Sequence, residues 1–72
     1  MHTELPDIEL TASAVHEAWI AKKRAAGISS RKAEDGEELM VPYAELSEGQ
    51  KEMDRSLVRT VYEAIAKLAV RV

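Results

Sequence analysis

Two stretches of the chain carry side chains at helical spacing. In the first, from about Leu10 to Ala26, Ala12, Val15, Trp19, Lys22 and Ala26 recur three or four residues apart, which puts them on one helix face. Thr11 is the expected N-cap, with Ser13 as its rival, because a hydroxyl there can accept from an orphan N–H. Gly27 stands where a left-handed residue would end the helix, and Lys22, Lys23 and Arg24 favour its dipole. In the second stretch, Ser47-Glu48-Gly49-Gln50 has the form of a capping box, so a helix is predicted from there to about Val70. Met53, Leu57, Val61, Ala64, Ile65 and Leu68 form its expected apolar face, and Glu63 and Lys67 make an i,i+4 pair. Gly49 weakens the first turn and leaves room for a break near Asp54.

The rest lacks a period. Residues 28–40 hold one turn signal, Asp35-Gly36, whose flanks could pair as a small hairpin against a low β propensity. Val41-Pro42-Tyr43 should be extended, because residues before proline avoid the helical region. Residues 1–9 are polar apart from Leu5 and Ile8 and are interrupted by Pro6. The expected organisation is an N-terminal arm, 1–9, packing loosely or against a partner, and one domain, 10–72. The fold class is mainly α, with two principal antiparallel helices, a loop and at most a very short β-hairpin.

Composition sharpens this picture. The chain has 72 residues, so one domain is expected, and a fold this small leaves roughly 40% of its surface exposed. The apolar fraction of 46% includes eleven Ala, and the aromatic residues are Trp19, Tyr43 and Tyr62 alone. A core this thin ends near zero net stability, and with no Cys neither disulfides nor thiolate zinc sites can reinforce it. Self-association or a partner is the expected remedy. No apolar run approaches the roughly 20 residues that span a bilayer, and the N-terminus lacks the pattern of a signal peptide, so a cytoplasmic location is expected. The net charge of −3 argues against general nucleic-acid binding, while a local basic cluster could still take an anionic small molecule.

Candidate chemistry gathers around the single Trp. His16, Trp19 and Lys23 fall within a sector of roughly 60° on the first helix. A flat ring, an imidazole and an ammonium on one surface suit a ligand with a stackable ring and an anionic group. The plainer alternative is that Trp19 anchors the core with the other two at its rim. Lys22, Lys23, Arg24, Arg31 and Lys32 form either a solvated helix end or a phosphate-binding rim, while Glu34, Asp35, Glu37 and Glu38 would repel a polyanion. Catalysis has little support: there is no Cys, and Ser29, Ser30 and Ser47 lack a nucleophile elbow. A metal site would need His2 and His16 with carboxylates from the arm, and none is expected. Asp54 is read as meeting the helix N-terminus, and Arg55 either pairs with a carboxylate across the domain or reaches the ligand surface.

These motifs resemble a known family. Ala14-Val15-His16-Glu17-Ala18-Trp19, Lys22-Lys23-Arg24-Ala25-Ala26-Gly27, Val41-Pro42-Tyr43-Ala44-Glu45-Leu46-Ser47-Glu48 and Lys51-Glu52-Met53-Asp54-Arg55 are similar, in the same order, to the RyR domain. This is the repeat of ryanodine receptors, also found in small prokaryotic and phage-encoded proteins. The resemblance runs from about Leu10 to Ala69. It departs at Ile28-Ser29-Ser30-Arg31, where members usually carry Trp-Thr-Tyr-Gly, in a shorter loop before Val41, and at Met53, often a Tyr. The resemblance implies a mostly α-helical unit that occurs in pseudo-symmetric pairs, hence a homodimer for a single repeat. It also implies adenine-nucleotide binding around His-x-x-Trp. Carried over, this gives His16, Trp19, Lys23, Arg31, Tyr43 and Arg55 as ligand-binding residues. The expected function is a non-enzymatic, cofactor-free module that senses or sequesters a nucleotide-type signal, as in phage or bacterial defence. The alternative is a protein-interaction or structural oligomerisation module.

Overall fold

Asp7, rather than Thr11 or Ser13, starts the first helix. In a computed structural model that describes residues 5–70, its carboxylate accepts from the N–H groups of Glu9 at 3.0 Å and Leu10 at 3.3 Å. Helix α1 therefore spans Ile8–Ala25 and reaches into the segment expected as an arm. A carboxylate at the cap bonds the orphan donors and meets the positive end of the dipole, so it outcompetes a hydroxyl further along. Thr11 is used otherwise. Tyr62 donates its single hydroxyl proton to the Pro6 carbonyl at 2.9 Å, so the Thr11 hydroxyl donates to Tyr62. The first four residues of the expected arm, with His2, lie outside the described residues.

At the other end Gly27 adopts a φ of +82°. The Ile28 N–H bonds the Lys23 carbonyl and the Gly27 N–H bonds the Arg24 carbonyl, each at 2.9 Å, a Schellman closure.

The loop forms no strand among the described residues. It contains one antiparallel bridge, between Lys32 and Glu38, around a turn in which Gly36 takes a φ of +91°. What closes it is a side chain. The Glu38 carboxylate accepts from the Ser30 hydroxyl and from the N–H groups of Arg31 at 2.9 Å and Met40 at 3.0 Å. The Ser30 hydroxyl, then these two N–H groups, lower the Glu38 pKa from 4.5 to about 2. A carboxylate lowered in the folded state contributes stability that is present above its unfolded pKa and lost as pH falls through its folded one. Stability should therefore drop between pH 4.5 and about 2, and Glu38→Gln should flatten that part of a urea-midpoint profile. An unchanged profile would mean that the other lowered carboxylates, Glu9 and Glu52, account for it.

Tyr43 is not extended, as expected before, but begins a short 3-10 turn, Tyr43–Glu45, behind Pro42. Ser47 then caps α2, Glu48–Val70, accepting from the Gln50 N–H at 3.2 Å. The reciprocal half of the capping box comes from elsewhere: Glu37 accepts from the Ser47 N–H at 2.8 Å and its hydroxyl at 2.7 Å. With its first turn tied to the loop, α2 continues through Asp54 without a break.

The chain is mainly α. Thr11 meets Tyr62 and His16 meets Asp54, so α1 and α2 run antiparallel. The core lies between them and the 3-10 turn: Ala12, Tyr43, Leu46 and Val58 are buried together, flanked by Ile8, Leu39, Val41 and Tyr62. The apolar face expected for α2 is not buried. Met53, Leu57, Val61, Ile65 and Leu68 are 43–67% exposed, and Val58, about 100° round from Leu57, is the α2 residue that enters the core. Helix α1 is rotated too: it buries Ala12, His16 and Ile20 and leaves Val15 about half exposed.

Candidate ligand site

Four residues on α1 and the loop set the frame of the site. His16 faces the loop and is buried, with its Nε2 2.8 Å from the Val41 carbonyl. A carbonyl only accepts, so Nε2 carries the proton and donates. In the neutral ring Nδ1 is then an acceptor, and it lies 4.0 Å from an Asp54 carboxylate oxygen. Burial pushes the Asp54 pKa up, and the nearby His16 partly offsets this. Glu17, next to His16, accepts from the Tyr43 N–H at 3.0 Å, so two consecutive α1 side chains grip the backbone of the Val41-Pro42-Tyr43 segment.

One turn on from His16, the Trp19 ring stacks on the imidazole with centroids 5.7 Å apart and an interplanar angle of 27°. The Lys23 ammonium lies 5.9 Å from the Trp19 ring centroid, within cation–π range. Beside these rings opens a pocket of about 210 Å³ lined by Val15, His16, Trp19, Leu39, Leu46, Gln50, Asp54 and Leu57. Ligand pockets usually hold roughly 300–1,000 Å³, so this one takes a single ring system, with anything attached to it lying outside. Its polar lining is His16 Nδ1, the Asp54 carboxylate and the Gln50 amide.

Of the residues singled out in the sequence, His16, Trp19 and Lys23 come together. Trp19 is half-buried and does not belong to the buried core. Tyr43 does: its hydroxyl donates to Glu9 at 2.9 Å, and its ring backs His16 with centroids 6.2 Å apart. Its phenol is therefore turned to α1 and not to the pocket. Arg55 is spent on carboxylates, at 2.7 Å from Glu48 and 3.0 Å from both Glu9 and Glu52. It projects from α2 about 100° away from Asp54. The bonds from Arg55 are the first cause of the lowered pKa values of Glu9 and Glu52. Arg31 is exposed on the loop and is tied through its backbone, its N–H to Glu38 and its carbonyl to the Leu39 N–H at 2.7 Å. Accordingly, Arg55→Met should lower the melting temperature while leaving ligand affinity unchanged, as calorimetry of both would show.

Sequence reasoning missed the α2 side of the pocket. Gln50 and Asp54 are one turn apart, an i,i+4 pair that points at one surface, but Asp54 had an adequate local role at a helix start. Among the described residues no group of three or more His, Asp or Glu gathers closely enough to hold a metal ion.

No curated protein and no solved structure matches the chain. The His16–Trp19 pair, the Schellman glycine, the Val41-Pro42-Tyr43 segment gripped by α1 and the capped second helix are parts of the motifs that carry the resemblance. The family model of the RyR domain matches residues 3–72, and the chain belongs to the RyR domain family.

Proposed function

We propose that the protein is a non-enzymatic small-molecule binding module whose ligand is of the nucleotide type. The observation that carries this reading is the alignment of Lys23, Trp19 and His16 beside a pocket sized for one ring. A base stacks on the exposed part of Trp19, its edge meets His16 and Asp54, and an attached phosphate lies outside near Lys23 and Lys22. Binding without turnover makes it a sensor or a sequestering protein for a signalling nucleotide, in the cytoplasm, where such ligands are made. The roles suggested for prokaryotic and phage relatives in defence agree with this. No helix among the described residues is long and apolar enough to cross a membrane.

Isothermal titration against adenine and other mononucleotides, cyclic dinucleotides and cyclic ADP-ribose isomers tests the reading. Binding of one of them tighter than millimolar, with the ligand recovered intact, is the expected result. Failure of all of them would remove the reading. A second reading, a protein-interaction or oligomerisation module, is favoured by a different observation, the exposed apolar face of α2.

A further inference from the structure

The two helices form a single layer. The thinnest dimension of the molecule is 18 Å, less than two stacked layers of helices about 10–12 Å across. Apolar helix faces in stable domains are covered by a second layer. Here the loop and the 3-10 turn cover one side, while on another Leu10, Val15, Leu57, Val61 and Leu68 are 48–69% exposed. A groove of about 130 Å³ between the helices opens among Val15, Leu57 and Val61. From Glu63 to Ala69 every residue of α2 is exposed, and two helical turns with no packed face are marginal in water.

The amount of open surface indicates what covers it. The accessible surface is 5533 Å² for 8.0 kDa, against about 4,450 Å² for a compact monomer of that mass. The excess, about 1,000 Å², is close to the roughly 800 Å² that each partner buries in a standard dimer.

The spacing on α2 identifies the occupant. Leu57, Val61, Ala64 and Leu68 are separated by steps of four, three and four, which read the same in both directions. An antiparallel copy therefore sets Leu57 against Leu68 and Val61 against Ala64, twice over, with no charged residue on the seam. We propose that a second copy of this chain covers this face, with α2 packed antiparallel to α2 about a two-fold axis between Val61 and Ala64. Leu57 belongs both to this seam and to the wall of the Trp19 pocket. The partner's Leu68 then lies over Leu57, and the pocket gains part of its wall from the second copy. The inference deepens the oligomerisation reading and holds whether or not the pocket takes a nucleotide.

Sedimentation equilibrium at about 10–200 μM should give twice the chain mass. Leu68→Glu should give the monomer with its core intact, because Leu68 is exposed within one chain, and helical circular dichroism should fall by no more than the last turns of α2 that the partner no longer covers. The chain has no Cys, so an equimolar mixture of V61C and A64C chains, each with a single thiol, is a clean reporter, and mild oxidation should join the two into a covalent heterodimer. A monomer over the whole range overturns the proposal, as does an open-ended assembly. A Leu68→Glu variant that remains dimeric moves the interface elsewhere. If Leu68→Glu fails to fold, the cysteine pair decides: a dimer that does not cross-link refutes the antiparallel seam. Titration of nucleotides into the folded variants reports on the ligand reading separately.

Discussion

Leu46→Ala is expected to shift the folding equilibrium far enough that much of the protein is unfolded at 37 °C. Leu46 is 5% exposed and packs with Ala12, Tyr43 and Val58, the cluster that joins both helices to the 3-10 turn. Removing a buried leucine side chain costs about 2–5 kcal/mol, because the lost transfer energy is joined by the cavity left behind. A chain of this length has about 4–10 kcal/mol in all, and six buried apolar residues among those described, of which the small Ala12 alone is fully shielded, put this one toward the lower end. One truncation thus removes a large share of the total. Met53→Ala is the control, since Met53 is 65% exposed and its loss should shift a urea midpoint little. Equal shifts for the two variants, read by circular dichroism at low protein concentration, would mean that the core does not rest on Leu46.

Trp19→Ala should do the opposite: little to the fold and much to the ligand. The ring stands outside the buried core and stacks on an imidazole that Val41 already holds. Stacking of a base on an aromatic ring is worth about 1–3 kcal/mol, so affinity for the best-binding nucleotide should fall roughly 10- to 100-fold. Lys23→Ala should cost less, and its effect should shrink with added salt, because the ammonium of a half-buried lysine still acts through a partly screened field. An unchanged dissociation constant for Trp19→Ala, with the fold intact, would end the stacking role.

What could be read in the sequence was what short-range chemistry decides. Gly27 after a run of cations, Ser47 three residues before Gln50, and Gly36 after Asp35 each satisfy a local backbone need, and each sits where that need arises. The meeting of His16, Trp19 and Lys23 follows from helical pitch alone. The rotation of the helices could not be read this way. Both carry apolar sectors wider than the surface they bury. Which part turns inward depends on Met40, Tyr43 and Leu46, brought up by a loop without a period. The inward face of α1 includes a histidine, Ala12–His16–Ile20, and hydrophobic spacing does not register a polar residue whose proton is taken up by a distant carbonyl. The same blindness applies to the loop acids. Glu37 and Glu38 read in the sequence only as charges that would repel a polyanion, yet they accept from the amides of their own loop and of Ser47. Arg55 had two readings, and three carboxylates within bonding distance select the pairing one.

The loop's closure also bears on how the chain tolerates change. Its ends are pinned by the Schellman bonds at Gly27 and Ile28 and by the grip of His16 and Glu17 on Val41 and Tyr43. Between them Glu38 draws the two sides of the loop together. The tip, Glu34 and Asp35, is exposed, and its one side-chain bond, from the Glu37 N–H to the Asp35 carboxylate at 2.9 Å, is local to the turn. For a ring closed in this way, each doubling of length adds only about 0.6 kcal/mol of closure entropy. Extra residues inserted between Glu34 and Asp35 would enlarge the tip without moving the Trp19 face, which makes this turn the natural position for an epitope tag or a grafted peptide.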